Sequence, residues 1–122
     1  TLVGPISRVC SSDGYSFDGP NKNMILPGIS MIRRQLVAEY IQNAFYPLFE
    51  DWLIKYHGNC EDLTLNYYLL SRGISGTLVK GSYEELDNKN GYSSDENHYK
   101  IRNNFCKKYL TFSGSKNSIE YA

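Results

Sequence analysis

From Leu36 to Tyr56 the apolar residues recur at helical spacing. Val37, Ile41, Phe45, Leu48, Trp52 and Tyr56 form the line; Leu36, Tyr40 and Ala44 widen one side, Phe49 and Leu53 the other. A stripe this broad folds as an amphipathic helix laid against a core. Pro47 lies inside it and removes one backbone hydrogen bond, at a cost of about 3 kcal/mol. The phase survives the proline. The spacing therefore predicts one long kinked helix at about 29–57, or two nearly coaxial helices, closed by Gly58.

The flanking segments extend the helical reading. Asn59 can cap a helix at about 61–72, with Glu61 and Asp62 in its positive first turn and Leu63, Tyr67 and Leu70 on its buried face, Leu69 beside them. Asn97 can cap a last helix at about 98–111, apolar at Ile101, Phe105 and Tyr109 and basic elsewhere. Residues 2–9 alternate loosely around Pro5 and read as an edge strand or an extended arm. Residues 10–28, broken by Gly14, Gly19-Pro20 and Pro27-Gly28, read as a long loop. Residues 74–80 suit a short strand. Residues 81–97 form an acidic loop in which Ser82 to Glu85 has capping-box spacing. The expected fold is mainly α, with an α+β mix as the alternative. It is one small domain over 1–112, carrying one or two short strands, followed by a flexible tail at 113–122.

Composition narrows the function classes. Lys plus Arg and Asp plus Glu balance at 13 each in 122 residues, so no net positive charge drives binding to a polyanion. Aromatic residues make up 14% of the chain, too many for a disordered, solvating protein. No apolar run approaches the roughly 20 residues of a membrane-spanning helix. Asn, Lys, Ile and Tyr, all with AT-rich codons, are frequent; this fits a virus, a protist or a low-GC bacterium. The chain opens at Thr1 without Met, which reads as a processed product or a piece of a longer polypeptide. Cys10, Cys60 and Cys106 match no zinc-site spacing. Three is odd, so at most one intrachain bridge forms and one thiol is left over; the simplest reading is three small, partly buried apolar residues in a reducing, intracellular compartment.

Several clusters are candidates for chemistry. Asp13-Gly14-Tyr15-Ser16-Phe17-Asp18 places two carboxylates at D-x4-D spacing. That spacing resembles the motif of template-directed viral RNA polymerases, in which the first aspartate binds a divalent metal and the second selects the ribose hydroxyl. The resemblance implies metal binding by Asp13 and ribose selection by Asp18, with Mg²⁺ held by carboxylate oxygens. It covers six residues, and no Gly-Asp-Asp follows. His57 and Cys60 stand three apart at a helix end, where the histidine complements the helix dipole. Lys100, Arg102, Lys107 and Lys108, interleaved with Tyr99, Phe105 and Tyr109, suit a basic, ring-bearing face for nucleic acid.

None of these assembles a catalytic constellation, so the sequence points away from an enzyme and implies no cofactor. The favoured expectation is a non-enzymatic interaction or structural module. It would be tyrosine-rich, of viral origin or a processed fragment, and would engage a protein partner or a second copy through Tyr15, Phe17, Tyr46 and Tyr83. The alternatives are a fragment of a nucleic-acid enzyme using Asp13 and Asp18, and a nucleic-acid-binding module using the basic last helix.

Overall fold

The structure is a computed structural model and describes residues 1–19, 22–43, 48–82, 96–110 and 120–121. In chain order the elements are β1 (Leu2–Gly4), β2 (Ser7–Ser11), β3 (Gly14–Ser16), β4 (Met24–Ile25), a 3-10 turn (Pro27–Ile29) and β5 (Met31–Ile32). There follow α1 (Arg34–Asn43), α2 (Glu50–Lys55), α3 (Glu61–Ser71), β6 (Thr77–Leu78), α4 (His98–Tyr109) and β7 (Glu120–Tyr121). One sheet has the order β5-β1-β6-β7, antiparallel at β5-β1 and parallel at the other two pairings. The other is an antiparallel β3-β2-β4 sheet.

This is an α+β fold, which corrects the mainly α expectation. The segment read as an edge strand is two strands separated by Pro5, each central in its own sheet. Proline has no N–H to give a ladder, and the chain uses it where it passes from one sheet to the other. The segment read as a loop over 10–28 contains β3 and β4 and the end of β2. Strands of two or three residues are too short to show an alternating pattern.

The expected long helix over 29–57 is also corrected. Residues 27–32 form the 3-10 turn and β5, and the helical parts, α1 and α2, are separate elements, with Phe49 at the N-cap of α2. Pro47 itself, with Phe45 and Tyr46, lies outside the described residues. The predicted stripe is not the buried line: Ile41 is 54% exposed and Leu48 48%, whereas the flanking Tyr40, Phe49 and Leu53 are buried. The two helices serve different cores. Tyr40 joins Leu2, Ile25, Leu65, Tyr68 and Leu69; Phe49 and Leu53 join Cys10, Met24, Cys60, Leu63, Leu70, Phe105, Cys106 and Leu110.

α3 occupies the place where the sequence puts its second helix, and it supplies both cores. Leu63 and Leu70 face one, Leu65, Tyr68 and Leu69 the other. A helix apolar around most of its circumference is a buried helix. Its N-cap is Cys60, in the left-handed region at φ 79°, and not Asn59. Its buried hydroxyl is satisfied locally: Thr64 donates to the Glu61 carbonyl and accepts from the Tyr40 hydroxyl.

Asparagine side chains complete backbone pairing at several strands. Asn66 accepts from the Ile25 N–H (3.0 Å) and donates to the Ile25 carbonyl (2.8 Å), which pins β4 to α3. Asn23 makes the same two-way pair with the backbone of Cys10, at 2.9 and 2.7 Å. A carboxamide carries both a donor and an acceptor and so replaces a missing strand neighbour. The acidic stretch 83–95, including Tyr83 and most of the Ser82–Glu85 capping box, lies outside the described residues. So do 111–119; Glu120 and Tyr121 pair in parallel with Thr77 and Leu78. Among the described residues, no helix is long and apolar enough to cross a membrane.

The cysteines are not three free thiols. Cys10 and Cys106 are disulfide-bonded, joining β2 to α4 across a sequence separation of 96, and Cys60 is free and buried. Burial pushes the Cys60 thiol from 9.0 up to about 12, with the Arg102 charge and the Trp52 indole opposing only part of the rise. A neutral, buried thiol is a poor nucleophile. The native protein should therefore show no thiol reactive toward an aromatic disulfide reagent, and the unfolded, unreduced protein one. The Cys10→Ala/Cys106→Ala variant should lose about 2–5 kcal/mol in urea unfolding, given so long a closed loop. Alkali gives a separate check. The folded thiol holds its proton where the unfolded one has lost it. The Cys60 contribution to stability is thus complete below pH 9 and disappears as the pH rises toward about 12. The slope should reach at most about 1.4 kcal/mol per pH unit and should be absent from Cys60→Ala.

Candidate functional site

The sequence-predicted residues that come together lie where the β2–β3 hairpin meets α4. Three ties hold this platform. The Cys10–Cys106 bridge is covalent. The Tyr15 N–H donates to Asn103 Oδ1 at 2.9 Å. Gly14 makes that approach feasible: its φ of 121° suits glycine, and a Cβ there would lie 1.8 Å from Asn103 Oδ1.

The third tie is ionic. Arg102 Nη2 donates to Asp62 Oδ2 at 2.6 Å, and Arg102 is only 4% exposed. The same nitrogen reaches the Tyr15 hydroxyl at 3.4 Å, and the guanidinium lies 4.6 Å from the centre of the Tyr15 ring. Arg102 Nη1 donates to Asn59 Oδ1 at 3.5 Å, and Asn59 Nδ2 donates to the His98 carbonyl at 3.2 Å. The other Asp62 oxygen accepts the Leu63 N–H at 2.9 Å. Burial alone would lower the Arg102 pKa, but the hydrogen bond and charge of Asp62 outweigh it and hold the guanidinium above its ordinary range. Burial raises the Tyr15 phenol, against the pull of Arg102. Both groups are fixed parts of the frame, one a cation and one neutral.

On that frame sits a surface cluster of rings. Tyr15 and Phe17, two apart along the strand and its extension, share a face. Phe17 packs edge-on to Tyr99 at 5.1 Å and to Tyr15 at 6.0 Å, and Tyr15 stacks on Tyr99 at 6.4 Å. The Arg8 guanidinium lies 4.3 Å from the centre of the Phe17 ring. Phe17 is 44% exposed and Tyr99 45%. The expected contact residues Tyr15 and Phe17 are thus adjacent, while Tyr46 and Tyr83 lie outside the described residues. Sequence reasoning missed Arg8 and Asn103 altogether and placed Tyr99 with the basic run. Strand pairing brings Arg8 there, two residues before Cys10, and no local pattern signals it.

The other candidates are dispersed. Asp13 and Asp18 lie beyond opposite ends of β3 and are both exposed. Asp13 N–H donates to Ser11 Oγ, and the Asp18 carbonyl accepts from Ser16 Oγ, as turn residues do. Among the described residues no group of three or more His, Cys, Asp or Glu could hold a metal ion. Lys100, Lys107 and Lys108 are exposed on α4, but Arg102 points inward to Asp62 and is not part of that face. His57 is exposed and Cys60 buried, in a turn where both have positive φ.

Comparison with protein-family models, with curated proteins and with solved structures gives no significant match.

The buried pair sets a clear expectation. Arg102→Leu strands the Asp62 carboxylate in the interior and should cost about 3–5 kcal/mol in urea unfolding. Adding Asp62→Leu should restore most of that loss. A single-variant cost below about 1 kcal/mol would mean that the pair is solvated.

Proposed function

We propose that this chain is a protein-interaction module whose contact surface centres on Phe17 and Tyr99, flanked by Arg8 and Tyr15. The carrying observation is that these two large rings stay nearly half exposed although each is packed against its neighbours. Aromatic and arginine side chains are the usual anchors of protein interfaces. Rings with few rotatable bonds, set on a frame tied by a disulfide, a buried ion pair and Asn103, lose little entropy when a partner covers them. Pairing of Arg8 with the Phe17 face adds an attraction that strengthens on desolvation.

The partner is a protein or a second copy of the chain. A photo-crosslinking residue at position 17 should capture a protein in the native source or, at high concentration, a second copy. The same residue at exposed Lys80 is the control. Phe17→Ala and Tyr99→Ala should each weaken the captured association about 10- to 30-fold while leaving the unfolding midpoint nearly unchanged. Capture at position 17 no greater than at position 80 removes the proposal.

A further inference from the structure

The sheet β5-β1-β6-β7 ends on β5, and among the described residues no strand pairs with the outer side of β5. The direction of its backbone groups follows from the ladder. The Val79 N–H donates to the Gly4 carbonyl at 3.1 Å, so Gly4 and, two residues back, Leu2 turn their backbone groups toward β6. Val3 turns toward β5, where Met31 lies opposite. Met31 thus directs its N–H and C=O to β1, and those of Ile32 point out of the sheet edge. The side chains divide as well. Ile32, opposite Leu2, packs against the core, whereas Met31, opposite Val3, lies on the outer face and is 74% exposed. Thr1, Val3, Met31, Ile32 and Arg33 line a shallow cleft of about 340 Å³ along this edge. Arg33 and Arg34 follow directly. Both are exposed, and among the described residues neither is in an ion pair. α1 has no acid in its first turn, and its Glu39 is held by Arg72.

We propose that β5 is a strand-addition site for an extended, acidic peptide segment of a partner protein. This surface is independent of the one centred on Phe17 and Tyr99. An open strand edge presents N–H and C=O groups in alternation, and another extended backbone is the ligand that satisfies both. Met31 and Val3 offer apolar surface to a side chain of the incoming strand. Arg33 and Arg34, at one end of β5, offer donors to a carboxylate. The charge also decides against a second copy on this edge. Pairing β5 with the β5 of another molecule would bring the two arginines of each copy to one seam, where like charges destabilise a strand pair.

The probe is a fluorescein-labelled peptide, Glu-Val-Thr-Val-Glu, which sets a carboxylate beside the arginines in either chain direction. Its anisotropy should rise saturably with the protein, and the Ile32 amide should shift and exchange more slowly in the NMR spectrum of the complex. N-methylation is the signature. In an added strand only every second N–H faces the edge, so methylating the valines or methylating the other three residues should abolish binding in one case and spare it in the other. The Lys-Val-Thr-Val-Lys peptide should not bind. The Arg33→Gln/Arg34→Gln variant should keep its thermal midpoint and bind the acidic peptide about 3- to 10-fold more weakly. Lys107→Gln/Lys108→Gln, at another exposed basic pair, should leave the affinity unchanged. Binding that survives both methylation patterns, or that is equal for the lysine peptide, overturns the proposal. So does the absence of saturable binding, and so does self-association of the chain that is lost in Met31→Glu while the peptide fails to bind.

Discussion

A buried guanidinium constrains everything packed around it. Arg102 is almost fully enclosed, and it is tolerable there only because Asp62 meets it at 2.6 Å and Tyr15 and Asn59 take up further donors. Desolvating a charge costs several kcal/mol, and only close, well-directed partners recover it. Those partners come from three places: the start of α3, the turn before it, and β3. Pairing the two terminal nitrogens of one side chain, whose Nε stays buried without a hydrogen-bond partner, therefore fixes the position of α4 against α3 and of the hairpin against both. A hydrophobic contact would have allowed sliding, whereas an ion pair of this geometry does not.

The surface chemistry depends on this fixation. Phe17 and Tyr99 belong to segments far apart in the chain, one following β3 and one in the first turn of α4. Their mutual packing exists because the disulfide, Asn103 and the ion pair hold those segments at one spacing. Trp52 and Tyr109, between α2 and α4, are held by core packing instead, both against Phe105.

Part of this was legible in the sequence. The helices at 61–71 and 98–109 are contiguous, carry acidic or basic residues at suitable ends and repeat at helical period, so local signals suffice. Strand character at 2–9 and 74–80 was legible too, but the sheets those strands build were not. Val3 pairs with Thr77, a partner no local pattern indicates, and most strands are too short to alternate visibly. Outside the two helix caps the sequence shows asparagine only as a codon bias, although Asn23, Asn66 and Asn103 each bond to a strand backbone. The basic run around Arg102 groups it with the exposed lysines. The available signal was its spacing, three residues before Phe105 and four before Cys106, which puts it on the apolar face. The stripe from Val37 to Tyr56 misled for the opposite reason: its phase continues across two helices that pack into different cores.

That division has a thermodynamic side. Both hydrophobic clusters use α3 as a common wall, one through Leu63 and Leu70, the other through Leu65, Tyr68 and Leu69. Neither cluster can melt without uncovering a face of that helix and weakening its neighbour. The small sheets gain cooperativity from this arrangement that strands of two or three residues could not generate alone, and the amides of α3 become the last to exchange with solvent.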